Sequence, residues 1–545
     1  MYTGGSVQKN RYNNSQSGLQ TFGTNPTDLE QANQNINHGQ FIYNSEELSY
    51  EIDSLNLITA SIDVNHDQSY SESDQFSQEF DAANSLIQNY RVKNTGNNSW
   101  NGLDLGINYQ LGFKNNKDRL LTFSYKYSRQ PSGNENDELI FDRFNYGLPS
   151  FTQFNNAKTI EQTAQADYVH PLKKITVEGG LKGIFRSNTS NFANSNLDTL
   201  TNSYVVDPTS VNNFNYQQDI FSLYNTYQLN LTDWSIKAGA RLETTTVNAD
   251  FLSGANNVNQ DYSNFIPSVS LQRKLKNAAS ITFGFTNRIQ RPDIYELNPF
   301  VDRSDPRFIS TGNPDLTPVV NHTFELNYSK FSKGSINLGL SYSFANNAIQ
   351  SVTKLVDTVT YTMNENVGSD KNLGFNASIN YPFTKKLNFN INARISYVAL
   401  RGYFFSELYN NSGIQGYTFA NAGYKFSDTW RAGINGGFYS ANVLLQGRSN
   451  AGVFSSLSTS KDFLDKKFSI YLSCNNPFSK YRNFSTYTRD VNFYQTSYAQ
   501  NPIRSLNIGV NYRFGKLKAD IKKNQRGIEN DDNKGSGKNP GNSGS

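Results

Sequence analysis

Residues 373–397 read LGFNASINYPFTKKLNFNINARISY. Leu373, Phe375, Ala377, Ile379, Tyr381 and Phe383 alternate with Gly374, Asn376, Ser378 and Asn380. After Thr384-Lys385-Lys386 the pattern resumes, with Leu387, Phe389, Ile391, Ala393, Ile395 and Tyr397 against Asn388, Asn390, Asn392, Arg394 and Ser396. A period of two is that of a strand, whose successive side chains point to opposite faces. Two such runs around a short polar turn make a hairpin with one apolar face. The composition of the other face decides the class. A soluble sandwich turns that face to water and normally carries many Lys and Glu on it. Here it is Asn, Ser and Gly with one Arg, which suits a hydrated interior while lipid covers the apolar side. Ile379 and Ile391 are therefore expected to face lipid, and Asn380 and Asn390 the lumen.

The same form recurs in both directions along the chain. Leu103, Leu105, Ile107, Tyr109 and Leu111 turn through residues 114–118 into Leu121, Phe123, Tyr125 and Tyr127. Further pairs run from Ile220 to Thr246, from Phe265 to Ile289 and from Val319 to Phe344, with others near 158–187, 411–445 and 452–478. A last strand carries Leu506, Ile508, Val510, Tyr512 and Phe514. Short turns alternate with long loops, as in barrels whose turns face the periplasm and whose loops face outside. The spacing predicts an all-β fold, a large antiparallel transmembrane β-barrel of about 20–22 strands over residues 41–515. Residues 1–40 are Asn- and Gln-rich and are expected to be a polar segment with the remnant of an earlier strand. Residues 516–545 are charged and Gly-rich, and are expected to be a disordered tail on the periplasmic side.

Composition agrees with this reading. Among 545 residues only 36% are hydrophobic and the mean hydropathy is −0.63, yet 14% are aromatic. Strands that show lipid at every second residue, ringed by aromatic girdles, give that combination. No apolar run is long enough for a membrane-spanning helix. A net charge of +4 is too small to point to nucleic acid. The single cysteine, Cys474, excludes an internal disulfide. The start lacks the basic and apolar regions of a secretion signal, which implies a mature or truncated chain.

Chemistry is sparse. His38, His66, His170 and His322 are scattered without metal-ligand spacing, and no nucleophile–base pair or phosphate loop stands out. The chain reads as no enzyme, without a cofactor. Asp63, Asn65 and Asp67 have the one-three-five spacing of a calcium loop, but Gln68 stands where such a loop turns on glycine. A strand running into a polar loop is the competing reading. Residues 290–317 are richer, with Arg291, Asp293, Asn298, Asp302, Arg303, Asp305, Arg307, Asn313 and Asp315 interleaved with prolines. Each proline removes a backbone donor and pushes its predecessor out of helical space, so the segment is a loop, expected at the outer mouth. Those charges and amides suit a small polar molecule or glycan. The alternative is that Asp–Arg pairs knit the loop to its neighbours.

The stretch RPDIYELNPFVDRSDPRFISTGNPDLTPVVNHTFEL, residues 291–326, resembles a loop of TonB-dependent receptors and of the related Bacteroidetes-type outer membrane β-barrel family. Gly239-Ala240-Arg241-Leu242-Glu243 and the closing Val510-Asn511-Tyr512-Arg513-Phe514-Gly515 are similar to two further patterns of that family. The resemblance implies an outer-membrane barrel of a Gram-negative bacterium that imports a siderophore, vitamin, oligosaccharide or peptide. It further implies coupling to TonB–ExbB–ExbD through an N-terminal plug, which residues 1–40 are too short to supply. A structural or passive-pore barrel is the other function in play.

Overall fold

The computed structural model describes residues 2–251, 258–299, 301–405 and 407–513, with 527, 528, 530 and 532 of the tail. A 24-stranded antiparallel sheet runs through the chain, mostly as an up-and-down meander. Tyr2–Thr21 pairs with Thr27–Glu51 on one side, and on the other with Phe493–Pro502, from Asn14 opposite Gln500 to Thr21 opposite Phe493. The first strand and the last hairpin thus meet. Setting aside the short hairpin Val443–Leu444 and Gly447–Ser449, and joining the interrupted staves 468–489 and 493–512, leaves 20 staves. Residues 1–40 differ from the expectation. They are two wall strands, and the boundary at 41 falls inside Thr27–Glu51. Their inward Leu19 and Leu29 are fully buried, whereas their Asn- and Gln-rich remainder hides the alternation from the sequence.

Register keeps the apolar and polar sets on opposite faces. Ile379 lies opposite Ile391, and Asn380 opposite Asn390. Outward Leu373, Phe375, Ile391 and Ile395 are exposed, while inward Ser396 is buried. The turn after Phe383 closes when the Thr384 hydroxyl accepts the Lys386 and Leu387 amides, at 3.1 and 2.9 Å. Such turns line one rim and are stitched together. The Gly112 amide donates to Leu55, Phe331 to Ala278, Lys425 to Lys386 and Arg513 to Lys467. Aromatic contacts gather near this rim, with Phe383 edge-on to Tyr381 and Phe389 and Phe426 stacked on Trp430.

The strands are longer than a membrane needs. Leu86–Phe113 has 28 residues, against about 9–11 for a tilted crossing. Towards the other rim the alternation persists but its polarity inverts. Val398, Leu400 and Phe404 point inward and are buried, whereas Tyr403 is outward and exposed. They have something to pack against. A second, four-stranded sheet stands inside the lumen, made of Val301–Asp302, Phe308–Thr311, Val359–Asn366 and Ile349–Val356. Phe308–Thr311 runs parallel to Val359–Asn366, with Phe308 opposite Thr360. Three apolar clusters fix this insert to the wall: Val352 against Val398 and Leu400, Leu355 and Phe308 against Leu19 and Phe493, and Leu297 and Leu316 against Phe214 and Val247.

The face assignment has a direct consequence. Ile391→Arg, set between the Phe389 and Tyr397 levels, is expected to cost about 2–4 kcal/mol near the bilayer midplane, and Asn390→Arg less than half of that. Urea unfolding in lipid checks both. Equal costs at the two positions would reject the assignment.

Candidate functional site

The proline-rich loop does not stand out at the mouth. It turns into the outer half of the lumen, because its charged side chains find opposite charges on the wall. This corrects the expected placement. Asp293 caps the short helix Ile294–Leu297 by accepting the Glu296 amide at 2.9 Å, while the Glu296 carboxylate accepts the Asp293 amide at 3.1 Å. That reciprocal pair is a capping box. Asn298 donates to the Ser190 hydroxyl at 3.1 Å, and Asn313 to the Asn364 carbonyl at 3.0 Å. These contacts are structural.

Two arginines carry the insertion. The Arg307 guanidinium grips the Glu79 carboxylate through both terminal nitrogens, at 2.8 and 2.9 Å. It also donates to Gln88 and to the Thr358 carbonyl, at 3.0 Å each. Arg291 is fully buried and donates to Glu243 at 2.8 Å and to the Thr245 hydroxyl at 3.0 Å. Glu243 belongs to the Gly239–Glu243 motif and also accepts from Arg241 at 3.0 Å. Buried guanidiniums are tolerated only when paired in this way.

The second partner of Arg291 is a tail residue. Asp532 accepts from Arg291 at 3.0 Å and from both terminal nitrogens of Arg186, at 2.8 and 2.9 Å. Arg186 in turn pairs with Glu161 at 2.5 Å. Two residues earlier, Asn530 donates to Glu161 at 2.7 Å and to Thr163 at 2.9 Å. Most of the tail 516–545 lies outside the described residues, but Asn530 and Asp532 depart from the expectation of a free periplasmic segment. Two inward-facing groups unremarked in the sequence, Glu161 and Arg186, hold them.

Asp302 and Asp305 face the wall as well. Asp302 accepts from Gln153 at 3.3 Å. Asp305 accepts from Gln31 at 3.3 Å and Gln75 at 3.2 Å. Beside it lies a cavity of about 230 Å³ lined by Ser15, Gln31, Asn33, Gln75, Asn94 and Asp305. The side-chain oxygens of Gln31 and Asn33, two of the lining residues, are buried without a partner. Of the candidate loop residues, Arg303 and Asp315 remain exposed. Asp63, Asn65 and Asp67 sit in a regular strand, opposite Asp104, Gly102 and Trp100, without the loop a calcium site requires. Among the described residues there is no cluster of three or more metal-ligating side chains.

Burial raises the Asp305 carboxyl above its ordinary value, against the Arg307 amide and the Gln31 and Gln75 side chains. For Asp532 burial works in the same direction, but the hydrogen bonds and charge of Arg186, with the charge of Arg291, override it and hold the group well below 3.8. A raised acid disfavours the folded state once pH exceeds its folded value, and a lowered acid stabilises it above the unfolded value. Acidification from neutral pH to about 4 is thus expected to leave the Asp532 contacts intact and to relieve the penalty at Asp305. Release of the tail should begin only below that range. Amide exchange of Arg291, whose N–H donates to the Asp532 carbonyl at 2.9 Å, measures it. Deprotection already at pH 5 would contradict the assignment.

Comparison with solved structures supports the fold. The chain is similar to the copper transporter OprC, with a TM-score of 0.56 and 11% identity over 91% of this chain and 81% of that one. It is similar to the unliganded ferric citrate transporter FecA, with a TM-score of 0.52 and 10% identity over 90% and 78%. A ferric enterobactin receptor of Pseudomonas aeruginosa, PfeA, gives a TM-score of 0.48 and 12% identity over 91% and 81%. At such identities the likeness concerns fold alone. No curated protein matches the sequence. The model of one family does match, over residues 111–512, from the end of the fourth stave to the last. The chain belongs to the outer membrane protein beta-barrel family, and its place is the outer membrane.

Proposed function

We propose that this chain is the barrel of an energy-coupled importer for a small polar nutrient, a metal chelate, vitamin, oligosaccharide or peptide, working with TonB–ExbB–ExbD. The observation that carries the reading is the polar cavity beside Asp305, enclosed between the wall and an inserted loop held by charge pairs, hydrogen bonds and small apolar clusters. The insert narrows the path through the lumen and is fixed there by a paired buried guanidinium. An importer needs an insert that closes the path and yields when cargo arrives. The structural neighbours above a TM-score of 0.5 transport copper and ferric citrate, which is consistent with the class of cargo. Asp305, Gln31 and Asn33 are the proposed cargo contacts, while Arg291 and Arg307 hold the loop.

The test compares cells with and without the chain for accumulation of labelled copper, ferric chelates, cobalamin, oligosaccharides and peptides, with and without a protonophore. The expected result is protonophore-sensitive uptake of one class that disappears with the chain and falls with Gln31→Ala. Uptake that persists under the protonophore and scales with solute size would make the chain a passive pore. Unchanged uptake of every class, with envelope defects, would make it structural.

A further inference from the structure

Arg186, Arg241 and Arg291 form one lumenal cluster of guanidiniums, and the wall supplies Glu161 and Glu243 as their carboxylates. Three positive charges thus face two negative ones. Asp532 brings the third, and it does so from outside the sheet. Its fit is that of a ligand. The carboxylate is bidentate on Arg186 and shared with Arg291, and its backbone carbonyl accepts the Arg291 amide at 2.9 Å. Asn530 places its amide on Glu161 and Thr163. Bidentate guanidinium–carboxylate pairs away from water are the strong and geometrically selective ones.

We infer that Arg186 and Arg291, with Glu161 and Thr163, form a binding site for an acidic peptide segment of pattern Asn-x-Asp, filled in this chain by its own Asn530 and Asp532 and open to exchange with a free copy of that segment. The site lies apart from the cavity beside Asp305 and does not depend on the importer reading. Recognition uses a side-chain carboxylate, a main-chain carbonyl and a carboxamide two residues upstream, which a peptide combines and a simple anion does not.

The test uses full-length protein in detergent and a fluorescent peptide Gly-Ile-Glu-Asn-Asp-Asp, copied from residues 527–532. Asp532→Ala should bind it at least 10-fold more tightly than the parent chain, whose own tail competes. Arg186→Gln with Arg291→Gln in the Asp532→Ala background should lose that gain. Equal binding by all three proteins, or binding by none, overturns the inference. Succinate that competes as well as the peptide does, at equal concentration, also overturns it, since the site would then be one for any carboxylate. A second measurement covers variants that fold poorly. Ile528→Cys in a Cys474→Ser chain should react slowly with a maleimide, and at least 10-fold faster once excess peptide is added. A rate indifferent to the peptide means that the tail does not exchange and rejects the proposal.

Discussion

Replacing Arg307 with alanine is expected to release the inserted loop without unfolding the barrel. Arg307 and Glu79 are each about 5% exposed at their side chains, and the guanidinium spans both carboxylate oxygens. Removing one member of such a pair leaves the other charge buried and uncompensated, at about 3–5 kcal/mol. That energy falls on the loop, since Glu79 is held in the ladder by its neighbours on either side. The Thr360 amide donates to the Arg307 carbonyl at 3.0 Å and reports the opening directly. Its exchange protection should fall about 10²–10⁴-fold, with wall amides near Ile391 unchanged. Bilayer conductance should rise in parallel, because the insert then leaves the lumen. Glu79→Gln should show the same direction with a smaller change, since a neutral amide still accepts one of the two hydrogen bonds. Unchanged protection at Thr360 in Arg307→Ala would mean that the apolar anchors alone hold the loop.

How far the sequence showed this depends on the height in the barrel. Near the short-turn rim each strand meets lipid outside and water inside, so the period of two appears as an apolar–polar alternation, as in residues 373–397. Higher up, the outside is water and the inside holds folded protein. The period survives while its polarity reverses, so Val398 and Leu400 continue the strand with apolar side chains on the face that Asn390 and Asn392 began. An apolar–polar template has no way to signal that reversal. The loop could be recognised from its prolines, but its direction is set by partners far away in the chain. Glu79 lies 228 residues from Arg307, and Asp532 lies 241 from Arg291. A lone inward glutamate among amides was the available signal, and in Gly239–Glu243 the family pattern carried it. Glu79, Glu161 and Arg186 sit in strands with no such pattern. In the first strands, Asn and Gln occupy both faces over long runs, and Leu19 and Leu29 are too few to reveal a period.

The polarity reversal yields the second large effect. Phe404 ends the strand Leu387–Phe404 pointing inward, 4% exposed, in one cluster with Val352, Val443 and Leu445. Those neighbours belong to two hairpins, one in the inner sheet and one in the wall, joined through Gln446, which accepts the Thr353 amide at 2.7 Å and donates to its carbonyl at 3.0 Å. Phe404→Ala removes the ring that both hairpins rest on, and large-to-small changes of this kind cost about 3–5 kcal/mol where the surroundings cannot collapse. Two hairpins tied to each other have little freedom to collapse separately, which argues for the upper part of that range. Its neighbour Tyr403 is outward and 63% exposed, and Tyr403→Ala should stay within about 0.5 kcal/mol. Urea unfolding of both variants in the same detergent measures the contrast. In the lower barrel the same pair of positions would rank the other way, with the outward residue the sensitive one to polarity and the inward one tolerant. If Tyr403→Ala proves the more damaging change, the lipid boundary lies above this level, and the inner sheet is a loose occupant of the lumen rather than part of its core.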